Sequence, residues 1–215
     1  MTTELRYDKW LGGKLGERCV RNLSKHGFDA HFVSTADEAS ALVMDLLTPY
    51  ERFGFGGSAT TRTLGLPDRL KRMGKTVYDH WAPPEGMTDI DVRRKQGRCD
   101  CFLCSANAVS ATGEIVNVDG VGNRNNAMCF GCPKVVIIAG INKVTASLES
   151  ALARVREVAA PMRARSLGME TPCAETGRCT DCNAPQRICR ITTILHRKPM
   201  MTDVSVVLVN EPVGF

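Results

Sequence analysis

The segment Lys134–Ala139, with the sequence Lys-Val-Val-Ile-Ile-Ala, most restricts the fold of this chain. It is a continuous run of strand-forming apolar residues without the alternation expected of a strand that has one wet face. Such strands occur in sheets that are covered on both faces, which is typical of parallel sheets flanked by helices. The apolar run extends only from Val135 to Ile141, which is too short to cross a bilayer.

Strand and helix patterns alternate around this segment. Apolar residues four positions apart (Leu11, Leu15, Cys19 and Leu23) predict a helix that ends at His26-Gly27. Further helices are predicted at 37–47 and 145–160. Strands are predicted at 28–33, 52–57, 75–79, 102–110, 114–118, 134–139, 188–195 and 204–209. This alternation predicts an α/β fold with a twisted, mainly parallel sheet flanked by helices.

Length and composition indicate one soluble domain spanning residues 1–215, because 43% of the residues are hydrophobic and 24% are charged. The polar start, Met1–Asp8, has no signal-peptide pattern, so we expect a cytoplasmic protein without membrane insertion. The net charge of +5 is spread along the chain and only 6% of residues are aromatic. We therefore expect an anionic small molecule as partner and no nucleic acid. The oligomeric state is left open.

Four cysteines lie within 17 residues near the C-terminal end: Cys173, Cys179, Cys182 and Cys189. Four thiolates suit an iron–sulfur cluster or zinc. Zinc ribbons usually pair two Cys-x2-Cys units, but here only Cys179 and Cys182 form one, so the spacing favours a [4Fe–4S] cluster over zinc and over four unligated thiols. We predict that residues 161–190 form a cysteine-rich, cluster-binding insertion.

The predicted cluster site is coordinatively closed. Four protein ligands leave no position for a substrate, so structural support or electron transfer is expected. Cationic side chains at Arg178, Arg187 and Arg190 would offset the charge of a thiolate-bound cluster.

Five further cysteines, Cys99, Cys101, Cys104, Cys129 and Cys132, permit two interpretations. They could form a second metal site or redox pair. In a regular strand, however, Cys99 and Cys101 would share one face and Cys104 would point to the other. Cysteine is also a common small buried residue, and the sequence favours this packing role.

A glycine–hydroxyl turn follows the predicted strand 52–57. Its residues Gly56, Gly57, Ser58 and Thr60 allow backbone amides and hydroxyls to approach an anion. An ordinary capped turn would need the same residues. Ser58 is not expected to be a nucleophile, because the G-x-S-x-G elbow is absent.

A second polar group surrounds Asp119 and Arg124. Asp119 follows a strand and Arg124 begins a predicted helix, so both should lie at the carboxyl edge of the sheet, where α/β proteins bind ligands. Arg124 is suited to capture a carboxylate or phosphate. The alternative is an Asx-turn network in which Arg124 is ion-paired with Asp119. The candidate ligand-binding residues here are Asn107, Gly120, Gly122, Asn123 and Arg124.

These motifs together resemble the lactate-utilisation (LUD-domain) family, in particular its short YkgG-like members. The resemblance covers nearly the whole chain. The segments that carry it are Phe55–Thr60, Asn107–Val109, Gly113–Arg124, Val135–Gly140, Asn142-Lys143 and Cys173–Pro199.

The resemblance implies a fold related to the NagB/RpiA/CoA-transferase group and a link to the oxidation of lactate, beside other iron–sulfur subunits. It also assigns the glycine–hydroxyl turn and the Asp119 group to an anion pocket. Our leading hypothesis is therefore an iron–sulfur protein of lactate (2-hydroxy acid) oxidation and electron transfer.

Two other functions fit the same residues. The first is an isomerase of sugar phosphates or a CoA-transferase-like enzyme, with Asp119 as base, Arg124 and the Gly56–Thr60 turn as anion holders, and structural zinc. The second is a non-catalytic module that senses metal or redox state through the cysteine loop. If the protein is an enzyme, its catalytic residues are expected to be Asp119 and Arg124.

Overall fold

A computed structural model describes residues 3–215, with side chains from residue 7 onward, so the polar segment Met1–Asp8 lies partly outside the described residues. The helices are α1 (Thr3–Lys25), α2 (Ala36–Leu47), α3 (Ala59–Thr63), α4 (Leu66–Arg72), α5 (Asp89–Gln96), α6 (Asn123–Asn126), α7 (Leu148–Arg154), α8 (Ala160–Ser166) and α9 (Pro172–Thr176). The strands are β1 (Asp29–Val33), β2 (Arg52–Phe55), β3 (Thr76–Asp79), β4 (Cys101–Cys104), β5 (Ala108–Ser110), β6 (Ile115–Asp119), β7 (Lys134–Gly140), β8 (Val144–Thr145), β9 (Ile191–Leu195) and β10 (Asp203–Val209).

Six strands form one parallel sheet in the order β1-β10-β7-β4-β2-β3. Strand β7 lies in the interior of this sheet and is buried along its whole length. Val135, Ile137 and Ala139 enter the hydrophobic cluster on one face, whereas Val136 and Ile138 enter the cluster on the other. The predicted α/β fold, with a mainly parallel sheet covered on both faces, is confirmed.

A smaller mixed sheet, with the order β8-β5-β6-β9, was not predicted. The predicted hairpin is present as the antiparallel pair of β5 and β6. The single strand predicted at 102–110 is wrong, because β4 belongs to the large sheet and β5 to the small one. The chain leaves the large sheet at Ser105 and Asn107, whose carbonyl oxygens accept bonds from Arg124 and Arg154 instead of a strand partner.

The two predicted C-terminal strands are present but are not neighbours. Strand β9 pairs with β6 in the small sheet, and β10 lies between β1 and β7 in the large one. The cysteine-rich segment therefore lies between two strands of the small sheet, β8 and β9, and the chain enters the large sheet again only after β9.

The helix predicted at 145–160 begins and ends later than expected. It starts at Leu148, after the Ser147 cap, and continues through a π turn at Val155–Ala159 into α8, ending at Ser166. The π turn ends at Ala159, two residues before Pro161, whose missing N–H and bulky ring exclude a regular α-helical bond there. None of the described helices is both long and apolar enough to cross a lipid bilayer.

Helix α1 packs through the predicted stripe, with Cys19 and Leu23 fully buried, although Leu11 is exposed. Its close approach to β1 depends on Gly16. A Cβ atom at this position would overlap the ring of Phe32 on β1. Gly16 is therefore a packing requirement in a helix that glycine otherwise weakens.

We expect Gly16→Ala to destabilise the fold by roughly 1–3 kcal/mol, because Phe32 must move to admit the methyl group. Gly13→Ala is the matched control. Its Cβ would meet only Asn210 Nδ2, at 3.6 Å. The control should stabilise α1 by roughly 0.5–1 kcal/mol, and urea unfolding of both variants measures the difference. If both variants changed the free energy of unfolding equally, the contact with Phe32 would not limit how closely α1 packs on β1.

Candidate functional site

A cavity of about 320 Å³ lies at the carboxyl edge of the parallel sheet. The segments that follow β2, β3, β4 and β7 contribute to its wall, and α6, α8 and the end of β6 complete it. Its basic side chains include Arg93, Arg124, Lys143 and Arg163, whereas Asp119 is the only acidic side chain among the described residues that line it. Excess positive charge in a partly enclosed cleft attracts anions.

Three nitrogen donors converge on the space above Gly57. A methyl group on Gly57 would lie 3.3 Å from His80 Nε2, 3.5 Å from Arg163 Nη2 and 3.5 Å from Trp81 Nε1. We call this space, with Gly57, His80, Trp81 and Arg163, the Gly57 cradle. Glycine keeps it open, and its donors suit the oxygens of a carboxylate or phosphate.

His80 enters the Gly57 cradle as a neutral donor. The Gln96 side-chain nitrogen lies 2.9 Å from His80 Nδ1, and it also lies near the carbonyl oxygens of Phe55 and Tyr78. This network assigns Nδ1 as an acceptor and leaves the proton on Nε2. Burial, assisted by the charge of Arg93, lowers the pKa of His80, so the neutral ring dominates near pH 7.

Arg163 is held over the cradle by an aromatic ring and not by a carboxylate. Its guanidinium lies 4.8 Å from the centroid of Trp81, with Arg62 at 3.5 Å from the same centroid. Arg62 is paired with Asp79, but no carboxylate of the described side chains pairs with Arg163. Burial and the charges of Arg62 and Arg124 lower the pKa of Arg163, so an anion here would relieve an excess of positive charge.

Arg124 connects the walls of the cavity. It bonds to Asp119 Oδ1 at 2.5 Å, to Asn107 Oδ1 at 3.1 Å, and to the carbonyl oxygens of Val118 and Ser105. The backbone N–H of Asn125 donates to the other carboxylate oxygen of Asp119. The pairing of Arg124 with Asp119, which the sequence left as an alternative, is therefore present, and neither side chain is free.

Lys143 is a buried amine near the ion pair of Arg124 and Asp119, with only 3% of its surface exposed. Its Nζ lies 2.9 Å from both Thr60 Oγ1 and Ser105 Oγ. Burial, together with the charges of Arg154 and Arg124, lowers the pKa of Lys143 to about 7. Cys104 acts weakly in the opposite direction.

This depressed pKa predicts a stability that depends on pH. Between about 7 and the ordinary value of 10.5, the unfolded chain binds a proton at Lys143 that the folded chain does not. The free energy of unfolding should therefore rise with pH in this window. Below pH 7 the folded chain also carries the proton on Lys143, and the buried charge then lowers the free energy of unfolding by its full amount. Relative to Lys143→Met, we expect the wild-type free energy of unfolding to rise by about 1.4 kcal/mol per pH unit. Urea unfolding of the wild-type protein and of Lys143→Met at several pH values measures this slope. If the free energies of unfolding of the two proteins changed in the same way with pH, the depressed pKa of Lys143 would be wrong.

Most of the predicted ligand-binding residues line this cavity. Those that do are Gly57, Ser58, Thr60, Asn107, Gly120, Asn123 and Arg124, together with Asp119. Gly56 and Gly122 do not line it. Gly56 packs against Cys104 and Phe102, and Gly122 precedes α6 with a positive φ of 92°.

Sequence reasoning missed the cradle residues His80, Trp81 and Arg163, and it missed Lys143. His80, Trp81 and Lys143 follow β3 and β7, so the rule that ligands bind at the carboxyl ends of parallel strands could have indicated them. Arg163 enters from α8, and no local pattern marks it.

The four cysteines of the C-terminal segment are all half-buried. Cys179 and Cys189 line a common cavity of about 140 Å³, and Cys189 also reaches the main cavity. Arg187 braces the segment by donating to the carbonyl oxygens of Cys182 and Cys189. Within the described residues, no three Cys, His, Asp or Glu side chains are already grouped as a metal site.

The remaining predicted cysteine group is divided between the two faces of the large sheet. Cys99, Cys104 and Cys132 pack in one core cluster and Cys101 in the other, while Cys129 is exposed. Cys99 precedes β4, so the expectation that it shares a face with Cys101 is wrong. Burial raises the pKa of Cys99 and Cys104 to about 12 and that of Cys132 to about 11. Buried protonated thiols of this kind favour the packing role.

The fold and its cavity define an α/β protein with a pocket at the carboxyl edge of a parallel sheet. A family model described as LUD domain matches residues 16–209, and the chain belongs to this family. A crystal structure of a DUF162 family protein from Deinococcus radiodurans is similar, with a TM-score of 0.55 at 14% identity. The similarity covers 92% of this chain and 98% of that one. The search of curated proteins finds no match.

Proposed function

We propose that this LUD-domain protein is cytoplasmic, binds a 2-hydroxy or 2-oxo acid in the main cavity, and acts in the oxidation of lactate or a related acid. The observation that carries the proposal is the Gly57 cradle, where three nitrogen donors converge on one open space. A carboxylate there would accept from Arg163 and from neutral His80. Lys143 lines the same cavity.

The ion pair of Arg124 and Asp119 supports a binding role more than the isomerase alternative. A base that already accepts bonds from Arg124 and from the N–H of Asn125 has little remaining capacity to take a proton from substrate. In this proposal Asp119 and Arg124 shape the cavity wall, and the anion is held mainly by residues that lack carboxylate partners.

Ligand-induced stabilisation tests the proposal directly. L-lactate and pyruvate should each raise the melting temperature of the purified protein, and more so than propionate, which has the carboxylate but lacks oxygen at C2. No shift with either acid would overturn the proposal. A shift with inorganic phosphate alone would support the sugar-phosphate alternative instead.

We further propose that Cys173, Cys179, Cys182 and Cys189 hold a [4Fe–4S] cluster. The donor set fits, because Cys173 lies on the short helix α9 and the other three thiols follow it on a stretch without regular structure. Arg187 and Arg156 lie beside Cys179, where cations would offset cluster charge. Since the thiols are not already grouped, the segment must close around the metal as it binds. A bound cluster would supply one-electron transfer, and other iron–sulfur subunits would be its natural partners.

Anaerobically purified protein should be brown and contain iron and sulfide. Cys182→Ser should lose most of this iron, whereas Cys129→Ser, which changes an exposed cysteine outside the segment, should keep it. Iron and sulfide analysis of the three proteins measures the difference. Colourless wild-type protein with one equivalent of zinc would reject the cluster.

A further inference from the structure

Lys143 is the one lysine that both lines the main cavity and lacks a carboxylate partner among the described side chains. It follows β7 in the turn Ile141–Lys143 and is fixed at its tip by the hydroxyl groups of Thr60 and Ser105. Thr60 in turn donates to the carbonyl oxygen of Val213, so its oxygen remains an acceptor for the amine.

The hydrogen bonds of Lys143 leave one position on the nitrogen open. A neutral amine has two N–H donors and one lone pair, and the hydroxyl groups of Thr60 and Ser105 occupy both donors. The nearby charges of Arg124 and Arg154 disfavour a third proton, as does burial. A desolvated lysine beside other cations is the usual form of an amine nucleophile that attacks carbonyl groups.

The cavity also holds a place for the other end of such a substrate. The Gly57 cradle would accept a carboxylate, and Lys143 and the cradle line the same partly enclosed cavity. A 2-oxo acid carries a carboxylate next to a ketone, which matches an anion subsite together with an amine.

From this arrangement we propose that Lys143 forms a reversible Schiff base with the ketone of a 2-oxo acid, an inference that rests on the proposed function. The Nζ lone pair forms a bond to C2, and the carbonyl π electrons move to oxygen. Proton transfer from nitrogen to oxygen gives a carbinolamine, and a further proton allows the oxygen to leave as water. The product is an iminium ion, with no change in oxidation state.

The residues around Lys143 support each part of this step. Thr60 and Ser105 hold the Lys143 nitrogen in place, each at 2.9 Å. Arg163 and His80 would hold the carboxylate and so orient C2 towards the amine. The Schiff base would retain the oxidation product in the cavity in covalent form.

Borohydride trapping tests the proposal on the intact protein. Pyruvate followed by sodium borohydride should add one reduced pyruvate unit to the peptide that contains Lys143, as mapped by mass spectrometry. L-lactate has no ketone and should prevent the labelling by competition. Lys134 is the internal control, because it is also buried but is bound to Asp203 and Ser205 outside the cavity. It should remain unmodified.

Variants separate this inference from the proposed function. Lys143→Arg and Lys143→Met should both lose the adduct. Pyruvate should still raise the melting temperature of Lys143→Arg, because the Gly57 cradle that holds the carboxylate is unchanged. If pyruvate stabilises the wild-type protein but no label reaches Lys143, the Schiff base is wrong and the binding proposal stands. If pyruvate neither stabilises nor labels the protein, both are wrong. The wild-type peptide map decides the matter even if neither variant folds.

Discussion

Replacing Gly57 with alanine is expected to abolish the stabilisation by pyruvate while the protein remains folded. The added methyl group would occupy the space on which His80, Trp81 and Arg163 converge, so a carboxylate could no longer reach all three nitrogens. The backbone imposes no penalty, because Gly57 is not among the glycines with positive φ. Loss of two charge-assisted or neutral hydrogen bonds costs about 2–4 kcal/mol of binding, which is more than a tenfold loss of affinity.

Gly56→Ala is the matched control for this prediction. Its methyl group would press on Cys104 and Phe102 in the core, at 3.3 and 3.4 Å, and not on the cradle. We expect it to lower the melting temperature of the free protein but to preserve the shift that pyruvate causes. Calorimetric titration of both variants measures the contrast. If Gly57→Ala bound pyruvate as tightly as wild type, the anion would have to lie elsewhere.

Arg124→Ala is expected to destabilise the protein by roughly 3–5 kcal/mol, because it leaves the buried carboxylate of Asp119 without its cation. The carbonyl oxygens of Ser105 and Val118 would lose donors at the same time. Urea unfolding measures this loss. The effect is on the fold first, so weaker anion binding by this variant would not by itself identify Arg124 as a ligand.

A double-mutant cycle isolates the ion pair. Asp119→Asn with Arg124→Met should recover part of the loss, since neither partner then carries an uncompensated charge. Arg52→Ala provides an exposed comparison, because the ion pair of Arg52 with Asp100 lies at the surface and should matter much less. If Arg52→Ala and Arg124→Ala lowered the free energy of unfolding by the same amount, the buried ion pair of Arg124 with Asp119 would not have the stabilising role described above.

The local patterns predicted the large sheet because its central strand has no polar alternation and its helices carry clear apolar stripes. The local patterns gave wrong strand bounds where side chains, and not a neighbouring strand, form the hydrogen bonds of the backbone. The chain between β4 and β5 reads as one strand at 102–110, yet Arg124 and Arg154, from distant helices, satisfy its carbonyl groups and allow it to change sheets. Pro161 reads as a helix end, but the π turn before it accommodates the proline.

The candidate site was predicted from the residues that follow strands and carry glycine or amide groups. That reasoning brought the Gly57–Thr60 turn, Asn107 and Asp119 to one cavity. It could not identify Arg163, because the position of Arg163 depends on how α8 packs against Trp81. The ligand set of the cysteine segment was predicted from residue type and spacing, and not from the ends of strands. It describes the segment when it surrounds a metal.

The proposed function requires above all that the Gly57 cradle binds the carboxylate of the ligand. A crystal structure of anaerobically purified protein soaked with pyruvate tests this directly. The account predicts the carboxylate above Gly57, within hydrogen-bonding distance of Arg163 and His80 Nε2, with C2 directed towards Lys143. Pyruvate bound at another place while the cradle remains free of it would contradict the account.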